Sequence, residues 1–378
     1  MSDTLIVVIV VLARLLVPLL IPKFPLPAVL TCLVIDGVDQ SIFQAFTSYD
    51  LAGYQSYDKA LDVYYLTVAY LATMRNWSNA AAFNVSRFLF FYRLVGVVIF
   101  EFSQVRAILL IFPNTFEYFF IFHEAVRTRW NPKRMSTKFV VVAAAIIWIF
   151  IKLPQEYWIH IAQLDTTDLI KEKIFGVAAS SSWTDAVANR PWVLLVMAIL
   201  VVAVCLVLRS IARRLPPVDH SLRLVADPLP GDIDSAAEVA SYRAKVGRLF
   251  DQTLWEKIVL VSLVSISFSQ MLPNVSASAL QVTVGVAALV TANSLLGLWT
   301  ARRGHSISSL GISFTALAGV NVVLVIAANW LLDISSGDIE VGATLFFILL
   351  LTLIVTLYDR FRPVSQWRFH QTRTDVRS

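Results

Sequence analysis

The sequence predicts an all-α, polytopic integral membrane protein with about eleven transmembrane helices, the N-terminus outside and the C-terminus cytoplasmic. Three observations predict it. Of 378 residues, 57% are hydrophobic and 15% charged, with a mean hydropathy of +0.70, whereas soluble domains carry about 25% charged residues. Apolar runs of about twenty residues, enough to cross the hydrocarbon, recur from end to end. The Lys and Arg residues crowd into alternate loops, which sets orientation.

Taken in order, the runs lie at 4–22, 26–46, 58–76, 87–112, 114–130, 137–153, 191–209, 257–273, 277–299, 306–332 and 340–358. The first, "MSDTLIVVIVVLARLLVPLLIP", lacks the basic start and small-residue cleavage site of a secretory signal. It carries Arg14 in its centre and is read as a retained helix. Pro22, Pro25, Pro27, Pro113, Pro154 and Pro191 stand at or beside proposed ends, where helix breakers belong. "PNTFE" at 113–117 reads as a helix start, Asn114 capping and Glu117 returning the bond. The 58–76 and 114–130 runs each carry several polar groups.

The chain divides accordingly. Residues 1–153 form a membrane bundle holding nearly all the intramembrane charge. Residues 154–190 face outward, and "YWIHIAQLDTTDLIKEKIF" suits an interfacial helix. A transmembrane helix at 191–209 leads to a cytoplasmic loop at 210–256. That loop starts turn-rich and ends amphipathic, with Val239, Tyr242, Val246, Leu249 and Phe250 on one face. The C-terminal bundle, 257–358, is bland Val/Leu/Ala helix, read as scaffold or homo-oligomer surface. A basic cytoplasmic tail follows at 359–378.

The formal net charge of +5 comes from 31 Lys and Arg against 26 Asp and Glu. Those bases flank apolar spans, so they orient the chain in the lipid bilayer of the cell membrane and exclude nucleic acid as a partner. Lys23, Arg75, Arg87, "RTRWNPKR" with Lys138, "RSIARR", Arg302, Arg303 and the tail fall on one side. The opposite connections are neutral or acidic apart from Lys171, Lys173 and Arg190. Cys32 and Cys205 lie in apolar segments and form neither metal spacing nor a disulfide framework.

A charge at bilayer depth costs at least about 2.5–3.5 kcal/mol, so it needs a partner, water or a purpose. The first five spans hold Arg14, Asp36, Asp39, Asp62, Arg93, Glu101, Arg106, Glu117 and Glu124, while later spans offer little beyond Asn293, Asn321 and Asn329. A rise of about 1.5 Å per residue puts Asp36, Arg14 and Glu101 near mid-span. Asp39 lies a turn nearer the outside, Asp58 at the outer boundary and Asp62 a turn below it. Asp36 and Asp39 at i, i+3, and Asp58 and Asp62 at i, i+4, each share a face. A short connection makes their helices antiparallel neighbours, so all four converge.

Crowded carboxylates repel, so at least one holds a proton near neutral pH, as a proton or cation relay requires. Alternatively, Mg²⁺ or another divalent cation neutralises them. Structural pairing of Asp36 with Arg14, and of Glu101 with Arg93 or Arg106, leaves Asp39 and Asp62 over. The candidate ion or proton path is Asp36, Asp39, Asp58, Asp62, Arg14 and Glu101. Arg87 and Arg93, with Arg127 and Arg129, form a candidate site for a phosphate or carboxylate head group. His123 beside Glu124 reads as a core histidine or a relay member.

"DGVDQSIFQ" followed by "GYQSYDKALD" resembles the signature of CDP-alcohol phosphotransferases over about 30 residues. The resemblance implies that Asp36, Asp39, Asp58 and Asp62 hold divalent metal and that one acts as base. Gln40 replaces the motif's glycine, Phe43 and Gln44 replace its Ala-Arg pair, and Gly53 is one residue too far from Asp58. The sequence therefore leads to an ion- or proton-coupled transporter or channel carrying a small ion. The alternatives are a metal-dependent enzyme acting on a lipid-linked phosphate or sugar, and a structural membrane subunit.

Overall fold

The computed structural model describes residues 3–48, 54–164, 166–229, 238, 241–242, 250–269, 279–302, 310–332 and 341–375. Among these, helix is the only regular structure. The longer helices are α1 (Asp3–Leu16), α2 (Pro25–Phe46), α3 (Tyr54–Asn76), α4 (Ala80–Ser103), α5 (Thr115–Arg127), α6 (Thr137–Ile161), α7 (Trp192–Arg214), α8 (Gln252–Ser269), α9 (Ala279–Arg302), α10 (Leu310–Leu332) and α11 (Val341–Asp375). Among the described residues, seven stretches are long and apolar enough to cross a membrane: Asp3–Leu20, Pro25–Phe43, Ala80–Ser103, Thr137–Ile161, Trp192–Arg214, Leu280–Trp299 and Thr344–Phe369.

α3 is the hub, packed against α1, α2, α4, α8 and α11. Its polar sequence suits a core because the hydroxyls close on their own backbone. Thr67 Oγ1 donates to Val63 O at 2.6 Å and Thr73 Oγ1 to Tyr70 O at 2.7 Å, so these groups are buried without an unmet hydrogen bond. Tyr70 stacks on Phe90 at 4.5 Å and meets Phe116 edge-on, which joins α3 to α4 and α5. By contrast α7 buries only Val193, and a helix apolar all round with no protein cover faces lipid.

Several boundaries differ from those the sequence suggests. α6 runs through Pro154 to Ile161, because π-helical turns at Ile147–Lys152 and Tyr157–Ile161 flank the proline. Wider turns absorb the missing N–H of a proline within a helix. The aromatic start of the expected interfacial helix is thus the end of α6. α4 stops at Ser103, where Gln104 turns left-handed, so Arg106 lies beyond it. Gly96 lets the segment after α4 fold back, since a Cβ there meets Phe112 Cβ at 2.1 Å. Gly176 is favoured by its φ of 69°, a left-handed conformation that side chains rarely adopt. α11 continues through Pro363 to Asp375. On the amphipathic stretch, Val239, Val246 and Leu249 lie outside the described residues, whereas Tyr242 packs against Val364 of α11.

Both bundle halves are joined by a buried charge. Glu256 of α8 accepts from Tyr70 at 2.7 Å and pairs with Arg87 of α4 at 3.2 Å and Arg362 of α11 at 3.0 Å. Beside it, Lys257 meets Asp359 at 2.7 Å. These bonds explain why the charged part of α11 stays helical rather than trailing as a tail.

At the basic end of the bundle, residues 216–227 form a strap. The Asp219, Arg223 and Ala226 amides donate to Arg129 O, Thr128 O and Lys23 O, and Arg127 Nη1 donates to Val225 O. At the opposite end, Ser48 donates to Asp3 from both its amide and its hydroxyl, tying the α2 terminus to the start of α1.

Candidate functional site

Arg14 sits in the last turn of α1, where the helix dipole favours a cation. Tyr64 donates to Leu15 O at 2.8 Å and holds α3 against that turn. The i, i+3 spacing on α2 and the i, i+4 spacing on α3 then aim four carboxylates at one guanidinium. Arg14 Nη1 donates to Asp39 at 2.5 Å and Asp58 at 2.7 Å. Nη2 donates to Asp36 and, at 3.0 Å, to Asp62. The four terminal N–H groups of an arginine thus meet four aspartates, one each.

Burial divides the group. Arg14 and Asp39 are shut in, whereas Asp36, Asp58 and Asp62 keep 28%, 31% and 27% of their side-chain surface accessible. One oxygen from each of those three lies within 4.8 Å of the others. One guanidinium thus faces four carboxyl groups.

The polar region continues past the aspartates. A cavity of about 10 Å³ bordered by Arg14, Cys32 and Tyr65 has room for no more than about one water. Tyr65, one turn along α3 from Asp62, donates its hydroxyl to Glu117 of α5. Asn114 Nδ2 donates to Glu117 at 2.7 Å, and the Asn114 amide donates to Glu156 of α6 at 3.0 Å. Glu156 pairs with Lys152 at 3.7 Å and His160 at 3.0 Å. The expected capping box therefore does not form: Glu117 is turned to Tyr65, and Glu156 takes the amide instead.

The remaining residues singled out from sequence fall elsewhere. Glu101 lies near the end of α4 and is not among the acids that Arg14 meets. Arg87 is committed to Glu256. Arg93 donates to Phe112 O at 3.0 Å, so these two arginines do not share a site. His123 is a buried histidine stacked on Trp77 at 3.7 Å. Sequence reasoning passed over Tyr65, Lys152, Glu156 and Glu256. Lys152, Glu156 and His160 do carry a signal, i, i+4 spacing on one face, which the helix end assumed at Pro154 concealed.

Compared with protein-family models, curated proteins and solved structures, this chain matches none.

Proposed function

We propose that the chain is a multi-pass membrane transport protein in which Asp36, Asp39, Asp58 and Asp62 around Arg14 form a proton- or cation-exchange site. The single observation that carries the reading is the four-to-one ratio of carboxylates to guanidinium. An excess of acid at bilayer depth needs a mobile charge, and mobile charge at such a site is what coupled carriers use. Three part-accessible aspartates provide entry, and the Tyr65–Glu117–Asn114–Glu156–His160 series extends the polar route to the end of α6. In this reading the basic end, with Lys23, Arg127, Arg134 and the strap, is cytoplasmic, and Asp3 and Ser48 are outside. The helices beyond the seven apolar stretches are then counted as membrane-embedded too, giving about eleven.

Purified protein in lipid vesicles loaded with a pH-sensitive dye tests it. An imposed proton, sodium or magnesium gradient should dissipate faster than in empty vesicles, and Asp36→Asn with Asp39→Asn should abolish the difference. Wild-type vesicles indistinguishable from empty ones under every gradient would overturn the proposal.

One observation favours a second reading, a divalent-metal enzyme acting on a lipid-linked phosphate or sugar: the all-oxygen trio Asp36, Asp58 and Asp62. That donor set suits Mg²⁺ or a similar hard cation. The same three carboxylates are engaged by Arg14, so a metal would compete with the guanidinium. Saturable Mn²⁺ binding, strengthened by Arg14→Gln, would favour the enzyme.

A further inference from the structure

Away from the aspartates, the strap covers a cavity of about 460 Å³ between the α3–α4 turn and the end of α5. Its cationic lining is Arg127, Lys133, Arg134 and Arg223. Two carboxylates share the lining, and both are engaged: Asp219 by Arg134 at 2.5 Å and by the Asn131 amide at 2.8 Å, Asp227 by Arg223 at 3.9 Å.

Two buried side chains border the cavity with polar atoms left over. Arg127 is 4% exposed. Its Nε is on Glu124 at 2.6 Å and its Nη1 on Val225 O at 3.1 Å, while Nη2 has no hydrogen-bond partner. His123 is 1% exposed and neither ring nitrogen is hydrogen-bonded. Its Nδ1 is 3.8 Å from Glu124 Oε1, beyond hydrogen-bond reach. Trp77 fixes the ring from one side by stacking and fixes Glu124 by donating to it at 2.7 Å. Glu124 in turn anchors Arg127, so both groups are held in place before any ligand arrives.

A buried guanidinium N–H is a donor that cannot be titrated away, and leaving it unmet is unfavourable. The missing partner is an acceptor. Lys133, exposed at the rim, adds positive charge without burial cost, and Arg134 beside it shares its charge with Asp219. We propose that this cavity binds a phosphate monoester, with Arg127 and His123 taking phosphate oxygens at the base and Lys133 with Arg134 meeting the remaining charge. A phosphate monoester offers three acceptor oxygens and near-double charge at neutral pH, which matches convergent donors. The phosphate belongs either to a soluble metabolite or to a phosphatidate head group.

Full-length protein in detergent, stripped of lipid, is titrated calorimetrically with inorganic phosphate and phenyl phosphate. In parallel, phosphatidate is compared with phosphatidylcholine for co-purification and thermal stabilisation in nanodiscs. Saturable binding of the soluble phosphates assigns a metabolite site, and retention of phosphatidate alone assigns a lipid site. Either result should weaken at least about tenfold in Arg127→Gln, the loss expected for one charge-assisted hydrogen bond. Because Arg127→Gln also disturbs Glu124, exposed Lys133→Glu is the second variant. It should weaken binding while leaving the unfolding temperature unchanged. No binding of either kind by folded wild type, binding unchanged in both variants, or equal binding of chloride at matched ionic strength overturns the proposal.

Discussion

Arg14 is the residue on which the aspartate cluster depends for its shape. Its guanidinium distributes one bond to each of four acids that come from two helices. Removing it leaves those acids facing each other with no fixed positive charge, and breaking a buried pair by deleting one partner costs about 3–5 kcal/mol. Arg14→Gln should therefore lower the unfolding temperature in detergent markedly, and Asp39→Asn, at the one fully buried acid, should lower it less. A second residue-scale prediction concerns Tyr65. Tyr65→Phe removes the hydroxyl that joins α3 to Glu117, so it should slow dissipation of a proton gradient in vesicles while leaving the four aspartates in place. A rate equal to wild type would take Tyr65 out of the path.

At the scale of elements, close packing shows where side chains must be absent. α4 and the Phe112 segment approach so closely that Gly96→Ala forces a shift of the backbone around Phe112. Overpacking of that kind costs about 1–3 kcal/mol, to be read as a lower midpoint in thermal unfolding. Tyr92 and Arg93, which bond Ile111 O and Phe112 O, would be displaced with it. α6 shows a different rule: a proline is kept inside a helix when the turns on either side relax to π geometry. That choice brings Glu156 and His160 onto the same helix as Lys152 and opposite Asn114. Spans marked off at prolines alone miss this helix end for a physical reason, because proline forbids only its own hydrogen bond and not the continuation of the chain.

Across the whole molecule, Glu256 is the tie between the two bundle halves. Arg87, Arg362 and Tyr70 reach it from α4, α11 and α3. Glu256→Gln takes the anion from buried Arg362 and from part-exposed Arg87, so the halves should separate earlier. The expected readout is a lower unfolding temperature. Orientation is also a property at this scale. Single cysteines introduced by Ser48→Cys and Lys133→Cys, in a chain whose Cys32 and Cys205 are replaced by Ser, should label from opposite sides of sealed cells. An impermeant maleimide should reach the first directly and the second only after permeabilisation. The reverse pattern would invert the proposed topology.

The all-helical class, seven of the apolar runs, the excess of acid in the first helices and the paired spacing of Asp36 with Asp39 and Asp58 with Asp62 were legible in the sequence. Each depends on composition or on the period of a single helix, which neighbouring residues settle locally. What only the tertiary structure decided is which charges meet. Four acids converge on Arg14, and Glu101 is not among them. Arg87 turns from a ligand candidate into the partner of Glu256, and Tyr70 bonds that glutamate from 186 positions away. Those encounters follow from how α3 is surrounded by five other helices, and no helical period reports which helices become neighbours.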